Sequence, residues 1–120
     1  MTNEIQKKIL KEAKDFEVSV GLTVSLFSIK INSRLTEGII EKSKTITKSL
    51  KEAIIQNSED EYMTFIFQAL KACYDIEVGM DTSDKKEPIE ERFTDIVRHE
   101  LKNLKKLLCS EMEQPSFMAA

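Results

Sequence analysis

Arg92 and His99 are the two side chains of this 120-residue chain best suited to chemistry, and they lie seven positions apart. His99 is the only histidine, and imidazole is the side chain whose ordinary pKa lies nearest neutrality. On a helix, two turns separate the pair, and both residues fall outside the apolar arc, with Asn103 on the same flank. They could therefore meet a substrate or line a groove between two copies. An exposed histidine among charged neighbours is also an ordinary surface feature.

The spacing from Arg92 to His99 reads R-x6-H, which resembles the R-x4-6-H motif of HEPN domains. Those domains are compact helical ribonucleases that often dimerise, and their Arg and His act together on a phosphodiester without a metal. The resemblance covers these two residues and the all-helical size class. Phe93 stands directly after the arginine, where HEPN enzymes often carry Asn, Asp or His. What the resemblance implies is a catalytic role for Arg92 and His99.

A second candidate is a stripe of lysines in the middle of the chain. Lys44, Lys48 and Lys51 are spaced by four and three positions, so they share one side of a predicted helix. As a functional site they would form a contact surface for an acidic protein partner or for phosphate; the simpler interpretation is an ordinary solvated face, which is common on the helices of a bundle. With Arg34 they could also serve a nucleic-acid binder. No aromatic residues alternate with the lysines, and the net charge of −3 makes nucleic acid an unlikely partner.

No residue pattern predicts a metal or cofactor site. Cys73 and Cys109 are 36 positions apart, there is one histidine, and the three glycines are too dispersed to form a phosphate-binding loop. We therefore expect no cofactor and no metal. Only two cysteines, together with the lack of a signal-peptide pattern, indicate a reducing, cytoplasmic location.

The most apolar stretch, residues 16–31, is ambiguous in isolation because its β-branched residues alternate as in a strand. A longer pattern favours a helix, since one apolar stripe runs through the polar residues before it: Ile5, Ile9, Ala13, Phe16, Val20, Val24, Phe27 and Ile31. Val18, Leu22, Leu26 and Ile29 then form a second stripe on the opposite side. The uncharged run from Val18 to Ile29 is shorter than the ~20 residues needed to cross a membrane.

Four helices are predicted, over residues 3–31, 34–57, 59–78 and 88–112. Thr2 or Asn3 is a suitable N-cap for the first helix and Ser58 for the third. Gly79 is a suitable helix end, and Pro88 suits a first helical position. The expected fold is an all-α, up-and-down four-helix bundle over residues 1–112, with a flexible tail over 113–120. The alternative is an α+β fold in which residues 17–31 form a strand that pairs across a dimer.

The third predicted helix carries more apolar surface than one core needs. Beside its main stripe lies a second one, which we expect to form core or a dimer interface: Met63, Phe67, Leu70 and Tyr74. A homodimer is therefore expected.

These features together predict a small, cytoplasmic, non-enzymatic protein that binds and occludes a partner protein. An immunity protein, an antitoxin, a phage-encoded inhibitor or a chaperone would have this size and composition. The alternative function is a HEPN-like, metal-independent ribonuclease that uses Arg92 and His99.

Overall fold

The computed structural model describes residues 3–27, 33–81 and 87–117, and it consists of four helices. They are α1 (Glu4–Phe27), α2 (Ser33–Ile54), α3 (Glu59–Asp81) and α4 (Pro88–Glu113). The predicted all-α class is confirmed. The strand alternative is wrong for residues 17–27, which lie within α1 because its apolar stripe is buried at helical spacing. Residues 28–31, also part of that alternative, lie outside the described residues.

The helices form an elongated up-and-down bundle of 51 × 23 × 19 Å. Each helix packs mainly against two others, in the cyclic order α1, α2, α3, α4. Asn3 at the start of α1 donates to the backbone of Ser116 beyond α4, so these two helices are antiparallel. Tyr62 near the start of α3 bonds to Glu111 near the end of α4, so they are antiparallel too.

One continuous core fills the bundle. From α1 it takes four members of the predicted stripe, Ile9, Ala13, Phe16 and Val20. Phe27 packs edge-to-face on Phe93 of α4, with ring centroids 5.6 Å apart. Ile5, predicted in the same stripe, is instead exposed, because it lies at the rim of the bundle in the first turn.

The helix starts follow the predicted caps. The Asn3 side chain accepts a hydrogen bond from the Gln6 amide at 2.8 Å, and the Gln6 side chain accepts one from the Asn3 amide at 3.3 Å. This reciprocal pair is a capping box. Ser58 Oγ accepts from the Glu61 amide at 3.4 Å.

The predicted end of α3 is wrong. Gly79 lies inside the helix without a positive φ, and α3 continues to Asp81. Continuation buries Met80 fully in the core and brings Asp81 to Arg98 of α4. These tertiary contacts outweigh the local tendency of glycine to end a helix.

Candidate functional site

Arg92 and His99 lie on the outer side of α4, and both side chains are exposed. They line one surface cavity of about 490 Å³. The other lining residues also come from α4: Pro88, Glu91, Asp95, Ile96 and Glu100. The two-turn spacing therefore brings the predicted pair to one cavity.

The charge of this cavity is unfavourable for a polyanion. Three carboxylates, on Glu91, Asp95 and Glu100, share it with the two candidate bases. Burial raises the pKa of Glu100, while a hydrogen bond from Thr23 and the nearby His99 lower it. A phosphodiester entering here would meet like charges at short range.

A second cavity, of about 270 Å³, lies between α3 and α4 and also borders His99. Two of the cations that line it are engaged in ion pairs: Lys105 Nζ lies 2.8 Å from a Glu77 oxygen, and Arg98 is paired with Asp81. The hydrogen bond to Glu77 raises the pKa of Lys105. These pairs fasten α3 to α4 along the surface.

Lys44, Lys48 and Lys51 lie on the outer side of α2, and all three are exposed. Within the described ranges, none of the three forms an ion pair, whereas Lys42 on the same helix lies 3.4 Å from Asp75 of α3. The helical spacing places the three ammonium groups along one side, as predicted. We call this surface the lysine stripe.

The predicted interface residues of α3 divide into two groups. Leu70 is only 9% exposed and belongs to the core, and Met63 is partly buried against it. Phe67 and Tyr74 are exposed, as is Val78, which extends the same surface one turn further. Lys105 Nζ lies 5.1 Å from the centre of the Tyr74 ring. The exposed part is therefore an apolar surface turned towards the α4 side.

The second predicted stripe of α1 is exposed as well. Val18, Leu22 and Leu26 point away from the core on successive turns. Ile29, the fourth member of the stripe, lies outside the described residues. Gly21, one position before Leu22, has open space where a Cβ would stand. Nothing in the described part of the same chain covers this surface.

A buried polar network at one end of the bundle was not predicted. Glu111 is 2% exposed and accepts hydrogen bonds from the Tyr62 hydroxyl, the Ser116 amide at 2.7 Å and the Ser116 hydroxyl. Phe117 packs on the Tyr62 ring at 5.3 Å. Burial, and next the hydrogen bond to Glu111, raise the pKa of Tyr62. Of residues 113–120, which were predicted as a tail, Glu113 is the last residue of α4, and Ser116 and Phe117 contact the bundle. Residues 118–120 lie outside the described residues.

The described residues contain no cluster of His, Cys, Asp and Glu that could hold a metal ion. In the same part of the chain, no helix combines the length and apolar character needed to cross a membrane.

Comparison with known proteins identifies the fold. No family model and no curated protein matches the chain. A crystal structure from Bacteroides thetaiotaomicron, described as a protein with unknown function from the S23 ribosomal protein family, is similar with a TM-score of 0.74. The match covers 92% of this chain and 99% of that one at 16% sequence identity, so the likeness concerns the fold.

Proposed function

We propose that this chain is a non-enzymatic interaction module that binds and occludes an acidic surface of a partner protein through the lysine stripe. The observation that carries the proposal is that Lys44, Lys48 and Lys51 are exposed and unpaired in the part of the chain that the structure describes. Their charges repel one another on one side of α2, and opposite charges on a partner would remove that cost.

Three other cations lie near the helix contacts, and they differ from the lysine stripe because they form ion pairs. Lys42, Arg98 and Lys105 each pair with a carboxylate on a neighbouring helix. The bundle therefore uses those bases internally and leaves the lysine stripe available. Immunity proteins, antitoxins, phage-encoded inhibitors and chaperones are the partner-binding classes that suit such a small charged bundle.

The test is affinity capture from the source organism with three forms of the protein. The wild type should retain a partner in stoichiometric amount, identified by mass spectrometry. Lys44→Glu/Lys48→Glu/Lys51→Glu should lose it. The control is Lys102→Glu/Lys106→Glu, which reverses a second exposed pair of lysines on α4 at the same four-residue spacing. This control should retain the partner.

Two outcomes would overturn the proposal. One is the absence of any stoichiometric partner for the wild type. The other is equal retention by the α2 variant and the wild type, which would place the binding surface elsewhere. Raised salt should also speed dissociation of the wild-type complex, since exposed charge pairs are screened.

A second candidate function is the HEPN-like ribonuclease, which the shared cavity of Arg92 and His99 favours. Under this hypothesis His99→Ala abolishes RNA cleavage while the helical circular dichroism stays unchanged. Failure of the wild type to cleave RNA without added metal would end it. Because three carboxylates line the same cavity, we rank it below the interaction module.

We also propose that the chain works in the cytoplasm, where Cys73 and Cys109 would stay as the free thiols that the structure contains. Self-association is a further part of the proposal, because Phe67 and Tyr74 leave an apolar surface on α3 that a second copy could cover.

A further inference from the structure

The chain beyond α4 folds back over the end of the bundle where α1 and α3 begin. Gln114 leaves the helix with φ −136° and ψ 82°, and Pro115 follows it without an N–H group that could continue the helix. Both residues are exposed, whereas Ser116 and Phe117 are partly buried. We call residues 114–117 the strap. Its first half is a solvent-exposed bend, and its second half contacts the bundle.

Ser116 is held to the bundle through three of its groups. Its amide donates a hydrogen bond to a Glu111 oxygen at 2.7 Å, and its hydroxyl donates to the same carboxylate. Its carbonyl oxygen accepts a hydrogen bond from the Asn3 side chain at 2.8 Å. The Phe117 ring then packs on the ring of Tyr62, with centroids 5.3 Å apart. Two consecutive residues therefore fasten the strap.

The residues that receive the strap are also held by bonds within the bundle. Asn3 forms the capping box with Gln6 at the start of α1. Tyr62 donates its own hydrogen bond to Glu111, and these two side chains are 1% and 2% exposed. We call Asn3, Tyr62 and Glu111 the seat. Because these bonds do not involve the strap, the seat keeps its shape when the strap leaves.

Release of the strap disrupts few interactions. It breaks the hydrogen bonds of Ser116 and one contact between two rings, and water replaces the lost partners of the Glu111 carboxylate. The Gln114 amide donates to the Ser110 carbonyl on the helix side of the bend, so α4 can stay intact to its end. Unfolding of the bundle, by contrast, would expose the whole core. Local opening is therefore the lower-energy route by which the strap leaves.

We propose that the strap opens and closes over the seat while the four helices stay folded. When the strap is closed, Ser116 and Phe117 of the same chain fill the seat. When it is open, the seat presents a carboxylate, an amide donor and the face of an aromatic ring to other molecules. The strap thus controls access to this end of the bundle, and Glu111 is the residue that fastens it.

The test is native-state hydrogen exchange of the full chain, followed by NMR. The amide of Ser116 reports directly on the strap, because it donates to Glu111 only in the closed form. Its protection should not change with urea below the unfolding transition, since opening of the strap exposes little surface. The amide of Leu104, inside α4 and with its side chain 1% exposed, should lose protection as urea rises, because it exchanges through global unfolding.

Phe117→Ala tests the fastening itself. Loss of the ring contact should raise the exchange rate of the Ser116 amide about 10-fold without changing the helical circular dichroism. Gln114→Ala, at the exposed bend, is the matched control and should leave the Ser116 rate unchanged. Neither substitution alters the intrinsic exchange rate of this amide, which depends on the side chains of residues 115 and 116.

Three results would overturn the proposal. The same urea dependence for the Ser116 and Leu104 amides would show that the strap leaves only when the bundle unfolds. Exchange of the Ser116 amide at the rate of an unstructured chain would show that the strap does not occupy the seat. An unchanged Ser116 rate in Phe117→Ala would show that the ring contact does not fasten it. These rates do not depend on the lysine stripe, so this proposal and the proposed function fail separately.

Discussion

The hydroxyl of Tyr62 donates a hydrogen bond to the carboxylate of Glu111, although the residues lie 49 positions apart. Both side chains are almost fully buried, and Ser116 supplies further donors to the same carboxylate. The bond joins the start of α3 to the end of α4, and the backbone of Ser116 accepts from Asn3 at the start of α1. Glu111 and Ser116 thus join the starts of α1 and α3 to the end of α4.

Removing the Tyr62 hydroxyl should therefore destabilise the fold. Tyr62→Phe keeps the ring packing but leaves the buried Glu111 one donor short, which costs about 1–3 kcal/mol. Urea denaturation followed by circular dichroism measures the change in the free energy of unfolding. Tyr74→Phe is the matched control, because Tyr74 is exposed, and it should change stability by less than about 0.5 kcal/mol. Equal stability of Tyr62→Phe and the wild type would contradict the assigned role of the bond.

The bundle itself follows from helical periodicity. The stripe through Ile9, Ala13, Phe16 and Val20 continues from polar into apolar sequence, which a strand starting at residue 17 would not explain. The N-cap at Asn3 could also be predicted from the sequence, because a capping box depends only on residues within one helical turn. Features set by neighbours in sequence were thus predictable.

Features set by distant residues were not. Glu111 follows Leu104 and Leu108 in helical register but carries a charge, so only the position of Tyr62 shows why it is buried. Leu70 and Phe67 belong to one predicted stripe, yet Leu70 is covered and Phe67 is exposed because α4 packs on only one edge of it. The exposed apolar residues Val18, Leu22 and Leu26 of α1, by contrast, were recognisable in the sequence as a second stripe.

Glu100 should make stability fall as the pH rises. Burial raises its pKa in the folded state above the unfolded value of about 4.3, so the native protein binds more protons than the unfolded chain in that interval. The free energy of unfolding therefore decreases from about pH 4 until the folded pKa is passed. Glu100→Gln removes this titration, and the difference in stability between variant and wild type should move in favour of the variant between pH 4 and 7.

Urea titrations across that pH range give the comparison for Glu100. Glu113→Gln on the same helix is the control, because Glu113 is exposed, and its difference from the wild type should stay nearly constant with pH. A Glu100→Gln difference that is flat with pH, or that moves in favour of the wild type, would show that Glu100 is not held in a desolvated site.

Gly79→Ala should stabilise the protein. Gly79 lies inside α3 without a positive φ, and a Cβ built there meets no atom within 4 Å. Alanine is favoured over glycine in a helix interior by about 1 kcal/mol, so the midpoint of thermal unfolding should rise by several degrees. Gly38→Ala, inside α2 with the same open space, should have an effect of similar size. A loss of stability at Gly79 would mean that the helix ends there in solution.

The two cysteines should differ strongly in reactivity. Cys73 is fully buried, and burial raises its pKa to about 12, so its thiolate is rare at pH 8. Cys109 is partly exposed beside the Tyr74 hydroxyl, which lies 4.0 Å from its sulfur. In the native protein an aromatic disulfide reagent should therefore titrate one thiol quickly, and Cys109→Ser should remove that fast phase. As a control, the denatured wild type should release two equivalents of the coloured thiol at one rate. A fast phase that remains in native Cys109→Ser would contradict the prediction, because it would show that α3 opens enough to expose Cys73.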